Sequence, residues 1–342
     1  MKQLILVTGG TGYIGSHTAV ELIQKGFEVV IIDNLANSKL EVLDKIKEIT
    51  GTKPGFEKLD LCNAEAVNLF LKKYPRIAAI IHFAAYKAVG ESVQNPLKYY
   101  ENNILSLINL IKGMQEYNIP NMVFSSSCTV YGQPDILPVT ERAPVKKAES
   151  PYGNTKQIDE EILQDCLKIS QDLNCISLRY FNPIGAHPSG LIGELPLGVP
   201  ANLVPYITQI AAGLRSHLSV FGNDYNTPDG TAIRDYINVV DLSKAHVIAI
   251  ERLLSHKQKS NFEIFNLGTG KGNSVLELIT EFEKANGIKI NYKIVPRRAG
   301  DIEQVWADTK LANEELGWKA ETSLEDTLRS AWIWEKNCRT KK

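Results

Sequence analysis

Leu4-Ile5-Leu6-Val7-Thr8-Gly9-Gly10-Thr11-Gly12-Tyr13-Ile14-Gly15 carries an apolar run straight into glycines at 9, 12 and 15. Leu4 to Val7 reads as a buried strand, and Tyr13 to Lys25 as a helix that closes at Gly26. Glycines between a strand and a helix permit a tight turn and close backbone approach. A pyrophosphate then sits against the free N–H groups of the helix N-terminus. The pattern is G-x-x-G-x-x-G rather than the commoner G-x-G-x-x-G. A second apolar run, Phe27 to Ile32, ends at Asp33, roughly 20 residues beyond the turn, where a carboxylate accepts from ribose hydroxyls and repels a 2′-phosphate. Gly9, Gly12, Gly15 and Asp33 are therefore expected to bind NAD rather than NADP.

Outward from this unit the alternation repeats. Phe56 to Leu59, Ile77 to Phe83, Met122 to Ser125 and Cys175 to Phe181 are short apolar runs. Longer amphipathic stretches separate them, one opening at Asn63, one from about Pro96 to Tyr117 and one from Pro151. Right-handed crossovers then place helices on both faces of a parallel sheet and ligands at the carboxyl ends of its strands. The expected fold class is α/β: a Rossmann-type doubly wound parallel sheet over residues 1–181, with a smaller α+β substrate lobe over residues 182–342. The texture turns Gly- and Pro-rich from about Asn182, as in His187-Pro188-Ser189-Gly190. Tyr236 to Val240 and Phe262 to Leu267 read as strands, and segments near 236–267 are expected to return to the first domain.

The 342 residues carry a net charge of −1, which offers no electrostatic footprint for nucleic acid or an anionic membrane. No apolar run approaches the roughly 20 residues of a membrane span, and the N-terminus lacks the pattern of a secretory signal. A cytoplasmic protein is expected. The five cysteines, Cys62, Cys128, Cys166, Cys175 and Cys338, are never spaced C-x-x-C, so neither a disulfide framework nor a zinc site is expected. His187 reads as a loop contact, His82 as a satisfied buried histidine, and Trp332 and Trp334 as packing residues of a C-terminal helix.

Tyr152-Gly153-Asn154-Thr155-Lys156 sets a phenol and an ammonium four residues apart, on one face of a helix. Ser150 and Pro151 suit the N-cap and first position of that helix. The ammonium and the positive helix end are both expected to lower the Tyr152 pKa toward the range of a general acid/base. Ser127 closes the strand-like Ser125-Ser126-Ser127 segment and offers a hydroxyl to relay a proton or orient a substrate oxygen. Arg234 and Arg298, in loop-like sequence, suit a nucleotide pyrophosphate, against the alternative of ion pairs with Asp235 or Asp301.

With these motifs in place, the chain resembles the extended short-chain dehydrogenase/reductases and, within them, the UDP-glucose 4-epimerase family. The carriers in the first half are Thr8 to Gly15, Asp33-Asn34-Leu35 with Asn37-Ser38, His82 to Ala85, Lys87 to Ser92, Ser125 to Ser127 with Val130-Tyr131-Gly132, and Tyr152 to Lys156. In the second half they are Tyr180 to Pro183, Gly185 to Gly190, Asn202-Leu203, Arg234-Asp235-Tyr236, and Arg298 with Gly300-Asp301.

The resemblance implies interconversion of UDP-galactose and UDP-glucose through a 4-keto sugar, with hydride moving transiently to one retained NAD. Tyr152 would be the acid/base, Lys156 would hold the nicotinamide ribose, and Ser127 would assist proton transfer. NAD would be lined by the glycine turn with Tyr13, Ile14, Asp33, Asn34, Asn37, Ser38, Asp60, Leu61, Phe83, Ala84, Ala85, Lys87, Asn102, Ser125, Tyr152, Lys156 and Tyr180. UDP-sugar would meet Lys87, Ser127, Tyr152, Phe181, Asn182, Asn202, Leu203, Phe221, Arg234, Arg298, Asp301 and Val305. Val305 stands where the family limits the 2-substituent of the sugar, and its modest size implies room for some UDP-N-acetylgalactosamine turnover. The resemblance also implies a homodimer through helices at about residues 96–117 and 151–173. A nucleotide-sugar 4,6-dehydratase is disfavoured, because Cys128 and Thr129 follow Ser127 where such relatives carry Asp-Glu. Another NAD-dependent nucleotide-sugar epimerase or reductase stays open, and a non-catalytic NAD sensor would not need Tyr152 and Lys156.

Overall fold

A computed structural model describes residues 2–170, 172–298 and 301–339; Gly300, one of the motif residues, lies outside them. The first half lays down β1 (Leu4–Thr8), α1 (Tyr13–Gln24), β2 (Glu28–Asp33), α2 (Val42–Thr50), β3 (Gly55–Lys58), α3 (Ala64–Lys73) and β4 (Ile77–His82). It continues through α4 (Val89–Gln94), α5 (Pro96–Glu116), β5 (Asn121–Ser127), α6 (Pro151–Ile169) and β6 (Asn174–Tyr180). The second half holds β7 (Asn182–Ile184), α7 (Leu203–Ala211), β8 (Leu218–Phe221), β9 (Ile233–Asn238), α8 (Val239–Leu254), β10 (Phe262–Leu267) and β11 (Gly272–Ser274). It ends with α9 (Val275–Asn286), β12 (Tyr292–Val295), β13 (Gln304–Val305) and α10 (Leu324–Arg339).

Seven strands form one parallel sheet in the order β10-β6-β5-β4-β1-β2-β3. Strand alternation divides the core between its faces. Ile5 and Val7 pack with Ala19, Val20 and Leu22 of α1 and Leu242 and Ala245 of α8. Leu4 and Leu6 pack on the other side with Val67 of α3, Leu107 and Leu110 of α5, and Leu163 and Leu167 of α6. The order reverses at β1, which lies between β2 and β4, and a doubly wound sheet opens its ligand crevice at such a reversal.

Of the two later strand-like runs, Phe262–Leu267 becomes β10 and pairs in parallel with β6 at the edge of this sheet. β9 instead joins a second sheet with β7, β11 and β13, and Val239 and Val240 already belong to α8. Asn238 makes this switch: its side-chain oxygen accepts from the N–H of Val240 (2.8 Å) and of Asp241 (3.4 Å), capping α8. Its amide also donates to Thr327 Oγ1 (3.1 Å) of α10. In α10, Trp332 packs edge-on against Phe282 and Trp334 donates from Nε1 to the Glu194 carbonyl (2.9 Å).

Asn238 therefore joins β9, α8 and α10. Asn238→Ala is expected to cost about 1–2 kcal/mol through the lost cap and buried hydrogen bond. The urea midpoint reads this directly, and an unchanged midpoint would refute it.

Candidate active site

The glycine turn lies against the end of β4. Gly9 has a left-handed backbone (φ +65°), and a Cβ there would come within 2.9 Å of the Ala84 nitrogen. A Cβ on Gly15 would stand only 2.8 Å from Gly10 Cα. α1 starts at Gly12 without a side-chain cap, so its first-turn N–H groups at Tyr13, Ile14 and Gly15 have no side-chain acceptor there. Asp33 ties the turn to the loop after β2. One carboxylate oxygen accepts from Leu35 N (2.8 Å) and Ser38 Oγ (3.1 Å), the other from Thr11 N (3.2 Å), and Ser38 Oγ meets Thr11 Oγ1 at 2.7 Å. Asn34 accepts from Ala36 N in the same loop.

Farther along the crevice, Asp60 is exposed and accepts from Cys62 N (2.9 Å), while Leu61 is buried with its carbonyl bound by Asn109. Asn102 donates to Asn103 (3.0 Å). Asn103, not singled out from sequence, bonds both backbone groups of Tyr86 and donates to Thr155 Oγ1 (3.0 Å). It thus binds the segment holding Ala84, Ala85 and Lys87 to α6. Phe83 packs at a tilt against His246, with ring centroids 4.7 Å apart.

The catalytic candidates converge where β5, β6 and α6 meet. Ser127 and Tyr180 are register partners, and the hydroxyls of Ser125 and Tyr180 share a short hydrogen bond. Ser150 Oγ accepts from Gly153 N (3.1 Å) and Pro151 opens α6, which sets Tyr152 in the first turn. Lys156 is buried, its Nζ 4.6 Å from the centroid of the Phe124 ring.

The expected downward shift of Tyr152 is not what this geometry produces. Burial pushes the phenol above its ordinary value, the nearby Tyr180 adds to the rise, and a hydrogen bond with Ser127 opposes it. Desolvation outweighs the helix end, because the ionised phenol would have to form beneath the protein surface. Burial likewise lowers Lys156, against the pull of Asp159 and Glu160.

A second cluster gathers side chains expected to hold sugar nucleotide. Lys87 Nζ lies 3.2 Å from Glu194 Oε1 and 5.9 Å from the centroid of the Tyr13 ring. Asn202, just before Leu203 and α7, donates to the same Glu194 oxygen (2.5 Å). Glu194, which sequence reasoning missed, is the carboxylate that joins them. Arg298 pairs with Asp301 (2.7 Å) and stands over Phe221, 5.5 Å from its centroid, so three further candidates meet. Arg234 donates instead to the carbonyls of Ile233 (2.8 Å) and Ile302 (2.7 Å). Asp235, weighed as its partner, accepts from Thr269, Gly270 and Ala307. Phe181 and Val305 are buried in one apolar cluster with Val130, Tyr131 and Val139, and Asn182 begins β7 beside them.

The glycine cradle, in which a Cβ would strike backbone, and the uncapped start of α1 fit a dinucleotide. Together with a Tyr-Lys pair and a serine at the carboxyl edge of a doubly wound sheet, they define a short-chain dehydrogenase/reductase of the extended kind. The family model for GDP-mannose 4,6 dehydratase matches residues 6–331. A UDP-glucose 4-epimerase of Dictyostelium discoideum is 50% identical over 97% of this chain and 95% of its own. A UDP-glucose 4-epimerase from Stenotrophomonas maltophila, solved with bound NAD and formylated UDP-arabinopyranose, superposes with a TM-score of 0.95. It is 48% identical and covers 99% of this chain and 100% of its own. The enzyme from Bifidobacterium longum, with NAD+ and UDP, gives 0.94 at 45% identity and 98% coverage of both chains. The chain belongs to the UDP-glucose 4-epimerase family.

Three buried histidines surround the crevice. His17 Nδ1 lies 2.7 Å from the Tyr13 carbonyl, His82 Nδ1 2.8 Å from Thr8 Oγ1, and His246 Nδ1 2.9 Å from the Leu242 carbonyl. Burial pushes them down to about 3, about 3 and about 4 respectively. They stay neutral when folded but bind protons when unfolded below about pH 6.5, so their contribution is complete above that pH and lost as pH falls toward 4 and 3. At pH 5 each is expected to remove about 2 kcal/mol of stability. Urea unfolding at pH 7 and pH 5 tests this; equal stabilities would contradict it.

Proposed function

We propose that this protein interconverts UDP-galactose and UDP-glucose by inverting C4 through a 4-keto sugar, with one NAD kept bound. The observation that carries the reading is the Ser127 hydrogen bond to Tyr152 in the first turn of α6, with buried Lys156 one turn further on the same helix face. NAD, held by these residues, would supply a reversible hydride acceptor. Tyr152 takes the proton of the sugar 4-hydroxyl as hydride leaves C4, and gives that proton back to O4 when, after the keto sugar has turned over, hydride returns to the opposite face of C4. Ser127 hydrogen-bonds that oxygen or the phenol, and Lys156 holds the nicotinamide ribose and offsets phenolate charge. The glycine turn and Asp33 bind the dinucleotide, joined by the residues from Asn34 to Ser38 and by Phe83 to Lys87.

Arg234 and Arg298, with Asp301 and Phe221, hold the UDP portion. Lys87, Phe181, Asn182, Asn202, Leu203 and Val305 surround the sugar. Cys128, which follows Ser127, has its thiol pushed up to about 12 by burial. It is a poor proton donor for dehydration near neutrality, which favours epimerisation over the 4,6-dehydratase chemistry. The chain works as a cytoplasmic homodimer with a dinucleotide lobe over 1–181 and a mainly sugar-nucleotide lobe over 182–342. Leu97 and Leu105 on α5 and Ile169 at the end of α6 expose apolar surface on the helices that would pair.

The test incubates purified protein, without added dinucleotide, with UDP-galactose and follows sugar stereochemistry by NMR. UDP-glucose should appear with no net nicotinamide reduction; a lack of conversion even with NAD supplied would reject the assignment. Tyr152→Phe should lower turnover by about 10²–10⁴-fold. If Val305 is the residue that limits the sugar 2-substituent, Val305→Tyr should slow UDP-N-acetylgalactosamine turnover while UDP-galactose turnover persists. Equal rates on the N-acetyl sugar would defeat that assignment.

A further inference from the structure

Asp159 lies on α6, three residues beyond Lys156 and seven beyond Tyr152, hence on the same side of the helix. It is 1% exposed, and among the described residues neither of its carboxyl oxygens has a hydrogen-bond partner. A buried carboxyl without a donor is rare enough to need a reason. One turn back, Thr155 is held by Asn103 of α5, and the adjacent Glu160 is bonded to Arg179, Ser126 and Ser177. Asp159, by contrast, has no donor among the described residues, and the nearby Lys156 rests its ammonium on the Phe124 ring.

The groups packed around the pair leave few other charges for it. From β4 comes His82, neutral by burial; from β6 come Arg179, committed to Glu160 at 2.5 Å, and Tyr180, bonded to Ser125. β5 presents Phe124 and serines, and the short turn after it presents Cys128 and Tyr131. On α5, Tyr99 and Lys98 bond Glu91 of α4, and Tyr100 accepts from Asn154. The charges that act on Asp159 are Lys156, which favours its carboxylate, and Glu160, which opposes it.

We propose that Asp159 is the charge partner of Lys156: its buried carboxylate keeps the Lys156 side chain an ammonium on the helix face that both share with Tyr152. Asp159 is then a positioning residue that acts on the phenol through Lys156 and through its own field. Burial alone disfavours the charged form of each partner, raising Asp159 and lowering Lys156, and each charge favours the other. The Asp159 charge also raises Tyr152. Removing it should move Lys156 to a lower pKa, so that the ammonium is lost at lower pH.

This rests on the epimerase reading, and the experiment separates the two. The pH profile of kcat/KM for UDP-galactose is measured on the NAD-loaded parent, Asp159→Asn and Asp159→Leu. The alkaline limb, set by loss of the Lys156 proton, should shift to lower pH by about one unit in both variants, so that turnover there falls about tenfold. Superimposable profiles would overturn the proposal, since a purely structural role moves stability and not the limbs. A readout independent of turnover is NMR titration of the parent labelled at lysine Cε and aspartate Cγ, with Lys156→Met and Asp159→Asn assigning the signals. Shared inflections for Lys156 and Asp159 are expected. Independent inflections overturn the pairing, whether or not the variants fold. If the inflections are shared but the parent leaves UDP-galactose unchanged, the pairing stands and the substrate assignment falls.

Discussion

The carboxylate of Glu160 fixes where the catalytic helix sits. It accepts from Ser126 Oγ (2.6 Å), Ser177 Oγ (2.7 Å) and Arg179 Nε (3.0 Å), and its second oxygen meets Arg179 Nη2 at 2.5 Å. Arg179 then donates to Tyr131 (3.0 Å), whose hydroxyl donates to Asn266 (2.7 Å). One buried ion pair thus joins α6 to β5, β6, the turn after β5 and β10. Desolvating two charges is costly unless the remaining lone pairs and N–H groups are satisfied, and here the hydroxyls supply what the pair cannot give itself. Glu160 lies two turns beyond Tyr152, so the network locks α6 against the strand that carries Ser127. The placement of Tyr152 beside Ser127 is thus inherited from a buried charge pair.

The contrast between Glu160 and Asp159 shows how one helix separates structure from chemistry. Adjacent carboxylates point to different environments, one saturated with donors and one with none. The saturated carboxylate makes the helix rigid against the sheet. The unsaturated one leaves an electrostatic demand that the neighbouring ammonium can meet, and that demand reaches the phenol two turns away.

Features that depend on local spacing were legible in the sequence. The Leu4–Gly15 run marks β1, the turn and α1; Asn63 and Ser150 cap helices where their side chains accept from Ala66 and Gly153. The Tyr152–Lys156 spacing marks one helix face. Features that join distant segments were not legible. Asn103 reaches Tyr86 and Thr155, and Glu194 reaches Lys87 across 107 residues; no local pattern marks either. The direction of the Tyr152 shift was also hidden, because spacing reveals charged neighbours but not depth of burial. β9 and β10 both read as strands, yet the cap at Asn238 sends the chain out of the second sheet and into α8 before β10 reaches the first.

Glu194 gives that long-range assembly a chemical consequence. Its side chain brings Lys87, from the loop after β4, together with Asn202 at the start of α7, while its carbonyl is held by Trp334 of α10. The Lys87 ammonium in turn lies over Tyr13 at the start of α1, and the Glu194 charge helps to raise the Tyr13 phenol after burial has done most of that work. A cation shared between the dinucleotide turn and a carboxylate of the second half cannot change its contacts on one side without altering the field on the other. The start of α1 and the second half of the chain therefore meet through one charge.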